Sequence, residues 1–351
     1  MLQIMATVRV VSVLMLLGAF HALDSPTTPI DPGRAPSAAL LSGDLLGPLS
    51  ASRLPAWIVN ALHLPSGAKW SPWSEPVIVS VVNSSSQDNQ PTLSPDQLSL
   101  YFASMRPGGL GGNDLWVSRR TSVESPWQTP VNLAAPVNSS GNDNSPAFSQ
   151  DGLLLFFQSN RPGGQGEVDI YVLRRTHKDD DFDWGPPVNL GTDVNTSAFE
   201  AGPMYLQQVE GGPINLYFSR GPDAVAIDIY SAAIKRNGET LGPAFPVPEL
   251  NFAVAGVTDA HPTVRRDGKE VIFFSNRPDG FGSEDLYVST RQSVHSAWSP
   301  PLNLGPTLNT AFRDAQPSLS FDGATLLFSS NRSDGLGGTD IWMSTRTLDS
   351  N

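Results

Sequence analysis

Five acidic residues recur ahead of a proline along this chain, and an arginine and a second aspartate follow each of them. The acids are Asp88, Asp143, Glu200, Asp259 and Asp314, three residues before Pro91, Pro146, Pro203, Pro262 and Pro317. The arginines are Arg106, Arg161, Arg220, Arg277 and Arg332, and each is followed eight residues later by Asp114, Asp169, Asp228, Asp285 or Asp340. Gathered carboxylates can serve as acid, base or nucleophile, or can ligate a hard cation. An arginine fork can instead hold a carboxylate in bidentate fashion and serve only the loop that carries it. The Arg and second Asp, fixed at one spacing, read as such an internal ion pair. The inner acids are harder to dismiss. Five carboxylates at a narrow channel mouth repel one another unless a cation, arginines or raised pKa values relieve them.

The elements that position these residues are strands. The acids sit at 88, 143, 200, 259 and 314, so neighbouring copies are 55, 57, 59 and 55 residues apart. That period is too long for a helical solenoid and fits one four-stranded propeller blade. After each acid comes a short apolar stretch and a turn, such as RRDG at Arg265 to Gly268, then a second apolar run such as VIFFS from Val271. Asp-Gly between apolar segments is a strong hairpin signal. A Gly-rich loop follows, as in SNRPGGQGEVD from Ser159, then a third strand such as DIYV from Asp169 and a Trp-led fourth such as WGPPVNL from Trp184. The last copy ends after DIWMSTR without a fourth strand, whereas WSEPVIVS from Trp73 stands ahead of the first copy. The spacing predicts that this N-terminal strand completes the last blade and closes the ring, removing exposed sheet edges. The fold expected over residues 70–351 is all-β, a single five-bladed β-propeller of four-stranded blades.

The strings S-x-D-G, F-x-S-N-R-P-x-G-x-G and D-[IL]-[YW]-V resemble the TolB-type, WD-repeat-like β-propeller repeat of bacterial envelope and secreted proteins, over roughly residues 70 to 351. Members of that family are mostly binding or scaffolding propellers. The resemblance therefore implies a binding or interaction module without cofactor.

In such a disc the inner acids and the SNRPGG loops share one face, and the Asp-Gly turns lie on the other. The candidate binding set is Asp88, Asp143, Glu200, Asp259 and Asp314 with Arg106, Arg161, Arg277 and Arg332. Asp114, Asp169, Asp285 and Asp340, with loop carbonyls, offer the hard oxygen ligands of a calcium site. The glycines beside them are explained more simply by turns of positive φ. The five histidines, His21, His63, His177, His261 and His295, show no zinc spacing. Asn83, Asn138, Asn195 and Asn331 match the N-glycosylation pattern. The third copy departs from the rest, with Glu200 for Asp, an insertion at Val209 to Gly212 and no SNRPGG loop, and it reads as drift. Near-identical chemistry in the other blades suits multivalent recognition of a glycan or protein partner. The alternative is a glycoside hydrolase resembling the five-bladed arabinanase and fructanase propellers, with Glu200 as acid and Asp88 or Asp259 as partner. Near-equivalent blades argue against it, because catalysis needs carboxylates in unequal surroundings.

A net charge of -12 with four lysines, Lys69, Lys178, Lys235 and Lys269, disfavours nucleic acid and anionic lipid as partners. The run Lys178 to Asp181 reads as a solvated loop tip. Residues 1–22 read as a secretory signal, with Arg9 ahead of an apolar core at Val10 to Phe20 and a cleavage site near Ala19 or Ala22. A secreted or periplasmic protein with no membrane span after cleavage is expected. Residues 23–69 read as a Pro/Ala/Ser-rich linker interrupted by an apolar segment, Leu54 to Leu64. Without cysteine, stability must come from packing and ring closure.

Overall fold

The computed structural model describes residues 70–207, 214–224 and 226–348. The expected signal, the linker and the Val209 to Gly212 insertion lie outside these residues. Strands rich in aromatic and branched residues alternate with Gly- and Pro-bounded turns, and they assemble into five antiparallel sheets of four strands each. The first blade shows the pattern: an inner strand Asp88–Leu93, then Ser99–Ser104, Asp114–Arg119 and a two-residue outer strand Val131–Asn132. The second strand is enclosed along all or nearly all of its length in every blade but the third. Tyr101, Phe102, Phe156, Phe157, Phe218, Phe273 and Phe328 are all fully buried there. The core therefore lies between blades, where each sheet packs its neighbour.

The ring closes as the repeat offset predicts. Val77–Ile78 pairs antiparallel with Asp340–Thr345, opposite Met343 and Trp342, and supplies the outer strand of the fifth blade. Trp70 bridges to Leu348 just beyond. The Trp that leads each outer strand has a defined task. It stacks on an arginine at the end of the third strand: Trp127 on Arg120 at 4.3 Å, Trp184 on Arg175 at 4.6 Å, Trp298 on Arg291 at 4.0 Å and Trp73 on Arg346 at 4.3 Å. The arginine in turn donates from Nε to a carbonyl of the Asp-Gly turn, as Arg175 does to Gly152 and Arg346 to Gly323. The short outer strand is thus held by a cation–π contact as well as by its ladder. The third blade has no such Trp, and Phe245 of its outer strand is exposed.

The acidic run of the second blade is not a solvated tip throughout. Asp181 is buried and accepts from Ser99 Oγ, Tyr101 OH and Arg119 Nε of the first blade, with Arg175 Nη1 at 3.3 Å. It pins the loop to the neighbouring blade. Among the described residues no helix is long and apolar enough to cross a membrane.

Closure makes a direct test. Deleting residues 70–80 removes the outer strand and the Trp73 stack of the fifth blade and leaves an open edge. The shortened protein is expected to melt earlier and to associate on a sizing column. A monomer with an unchanged melting temperature would show that closure does not hold the ring.

Candidate functional site

All five inner acids are completely buried rather than displayed at a channel mouth. Asp88, Asp143, Asp259 and Asp314 begin the inner strands of their blades, and Glu200 is the second residue of its own. Each takes a single arginine. Arg106 meets Asp88 at 2.5 Å, Arg161 meets Asp143 at 2.6 Å, Arg220 meets Glu200 at 2.9 Å, Arg277 meets Asp259 at 2.8 Å and Arg332 meets Asp314 at 2.5 Å. The expected pairing of these arginines with the aspartate eight residues on is therefore corrected. The hairpin register explains it: Asp143 lies opposite Ser159, so an arginine two residues past that serine folds back onto the acid.

The arginine is fixed on every side. Its Nη2 donates to a backbone carbonyl, Val82, Val137, Val194, Leu250 or Leu308. Two aromatic rings of the same blade flank it, Phe157 and Tyr171 about Arg161 for example, at 4.8 and 5.1 Å. The acid's remaining capacity is filled by the backbone N–H and hydroxyl of Ser84, Ser139, Thr196 or Thr310, and for Asp259 by the N–H of Phe252.

The second aspartates have a different partner. Asp169 accepts from the N–H groups of Gln165 and Gly166 and from Asn189 Nδ2 at 2.9 Å. Asp114 and Asp285 repeat this with Leu110, Gly111 and Asn132, and with Phe281, Gly282 and Asn303. Asp340 accepts from Leu336 and Gly337. A Cβ at Gly109, Gly164, Gly280 or Gly335 would fall 2.1–2.2 Å from the aspartate oxygen, which explains the glycines by close packing. These carboxylates thus accept from amide donors of their own loops. The described residues contain no cluster of three or more carboxylates, imidazoles and thiols suited to a metal.

A further repeated residue escaped the sequence reading. Asn83, Asn138, Asn195, Asn251 and Asn309 each clamp the second residue of a third strand, accepting its N–H and donating to its C=O; Asn138 does so with Leu115 at 2.8 and 2.9 Å. Four of these stand five residues before an inner acid, which was the available signal. Three of the apparent glycosylation sequons are this buried clamp followed by the Ser or Thr that caps the acid.

The channel axis is lined by residues two positions after the acids. A β-bulge interrupts every inner strand, between Asn144 and Ala147 for instance. It throws Gln90, Ser145, Gly202, His261 and Gln316 into left-handed backbone, with φ of 52°, 51°, 57°, 50° and 54°. The following proline has no N–H to leave unpaired there. These five residues, the prolines after them and then Thr92, Ala147, Met204, Thr263 and Ser318 line an axial pocket of about 40 Å³. That volume admits about two or three water molecules. A Cβ on Gly202 would lie 2.8 Å from the His261 ring, so the glycine makes room for the one imidazole that lines the axis among the described residues. His261 Nδ1 lies 3.5 Å from Ser145 Oγ, and its ring packs on Phe274. Burial, and secondarily the charge of Arg313, pushes its pKa down to about 3.

No family model matches the chain and no curated protein sequence is similar to it, so the TolB-type resemblance has no support beyond the motifs themselves. Among solved structures the fold is similar to an α-L-arabinofuranosidase from Lactobacillus brevis, with a TM-score of 0.55 and 12% identity over 78% of this chain and 94% of that one. It is also similar to a thermostable family-43 glycoside hydrolase, with TM-score 0.54 and 12% identity over 77% and 92%. A third match is an α-L-arabinofuranosidase from Podospora anserina in complex with cellotriose, with TM-score 0.51 and 12% identity over 81% and 98%. At such identity the likeness establishes the five-bladed propeller, a ring that glycoside hydrolases also use.

Two predictions follow the geometry. Arg161→Ala leaves Asp143 buried without its counter-charge and is expected to cost about 3–5 kcal/mol in chemical denaturation; an unchanged midpoint would refute the clasp. His261 binds its proton less readily folded, at about 3, than unfolded, at 6.5. Between these values the unfolded state holds more protons, so stability falls as pH drops from 6.5 toward 3. His261→Gln should flatten that part of the melting-temperature profile, and a slope identical to wild type would exclude His261 as its source.

Proposed function

We propose that this chain is a non-catalytic recognition propeller, secreted or periplasmic, that binds a glycan on the face carrying the SNRPGG loops. One observation carries the reading: every inner acid is fully buried and bound to an arginine. A hydrolase needs two carboxylates facing the scissile bond from unequal environments. The axial cavity here is lined by amide, hydroxyl, imidazole, methyl and proline groups and by no carboxylate. Its small volume is consistent with a ring whose ligand lies on a face rather than inside.

A glycoside hydrolase is the second reading, and the similarity of the fold to arabinofuranosidases favours it. It would require Glu200 to leave Arg220 and Thr196, its partners at 2.9 and 2.6 Å. Reducing-sugar release from arabinan, xylan and xyloglucan tests the choice. Wild type and Glu200→Gln are both expected to release nothing above background. Turnover in wild type that falls by several orders of magnitude in Glu200→Gln would establish the hydrolase instead.

A further inference from the structure

Five copies of one blade provide an internal comparison. Positions alike in all copies serve the ring, and a junction that departs at several adjoining positions has been shaped for something else. The junction of the fourth and fifth blades departs at four adjoining positions on the loop face. The residue before the inner acid is Gln87, Asn142, Phe199 or Thr258 elsewhere and Arg313 here. Its neighbour across the junction is Thr339, Asn113, Val168 or Ile227 elsewhere and Glu284 here. Arg313 Nε and Glu284 Oε2 approach to 2.6 Å, and each side chain is 26% exposed.

Two aromatic residues flank this pair. Phe281 stands at the loop tip where other blades have Leu110, Gln165 and Leu336, and it is 50% exposed. Phe312 stands where others have Ser86, Gly141 and Ala198, and it is 42% exposed. The two turns meet backbone to backbone, since a Cβ on Gly282 would lie 1.8 Å from Phe312 O. Arg313 is steadied from beneath by the Phe274 ring, 5.7 Å from its guanidinium, and its N–H is held by exposed Asn331 at 2.9 Å. Phe274 itself replaces the Ala103, Gln158, Ser219 and Ser329 of the other blades.

We infer that Phe281, Phe312, Glu284 and Arg313 form a subsite for one sugar ring of a neutral glycan at the fourth–fifth blade junction. Exposed aromatic rings offer flat apolar surface to the C–H face of a sugar. A carboxylate beside a guanidinium presents acceptors and donors side by side, the pattern that adjacent hydroxyls require. The pair is neutral as a unit, so a charged ligand would find no unmatched counter-charge. This subsite rests on the glycan-recognition reading and gives it a place on the disc.

The test titrates wild type, Phe281→Ala, Phe312→Ala and Leu110→Ala with arabinan, xylan and xyloglucan oligosaccharides by calorimetry, with melting temperatures as a folding control. Both Phe variants are expected to bind the preferred sugar about tenfold or more weakly, and Leu110→Ala to stay within about twofold of wild type. Wild type that binds while both Phe variants bind equally well would overturn the subsite and leave glycan recognition standing. Wild type that binds none of the three sugars would overturn both. Self-association of wild type that is lost in Phe281→Ala would reassign the patch to contact between copies and overturn the sugar subsite.

Discussion

The burial of five carboxylates governs the rest of this structure. An ionised carboxylate removed from water is strongly destabilising unless opposite charge and donors surround it. Each inner acid meets that demand with one arginine, one hydroxyl or backbone amide cap and a position at the head of an inner strand. The arginine must then be held as well, and the two aromatic rings and the carbonyl of the preceding loop hold it. A Gly-rich turn has to bring the chain back from the second strand to the third, and a second aspartate gathers its amides. Strand order, loop composition and aromatic positions all trace to the requirement that these acids be matched.

The repeat and the closure were legible because they depend on spacing alone. The Trp-led segment at residue 73 stands at the same offset from its acid as the others, give or take one residue, so its place in the fifth blade could be read without coordinates. The partner of the acid was not legible. Eight residues separate Arg161 from Asp169 and eighteen separate it from Asp143, and the hairpin register reverses which is nearer. The channel lining was hidden for a different reason. Gln90, Ser145, His261 and Gln316 adopt left-handed backbone that is uncommon for any residue but glycine, and the bulge before the proline turns them to the axis. Asn138 looked like a glycosylation acceptor because the clamp and the acid cap happen to be adjacent.

The departures from five-fold symmetry are coupled rather than scattered. Gly202 in the third blade admits His261 of the fourth, His261 packs on Phe274, and Phe274 lies under Arg313 of the fifth. Gly202 is thus one end of a contact chain from the axis to the rim. Change at any of these positions would disturb the next, so the asymmetry behaves as one unit of structure.

A propeller ring does not determine its chemistry, because sites are grafted onto folds. The same five blades can present free carboxylates to an axial funnel or turn them outward into the interfaces between sheets. Here the acid stands at or beside the strand's head, buried against its arginine, and the bulge after it leaves amides, a hydroxyl and an imidazole on the axis. With its acids committed to arginines, the repeat can vary on the loop face without loosening the clasp beneath it.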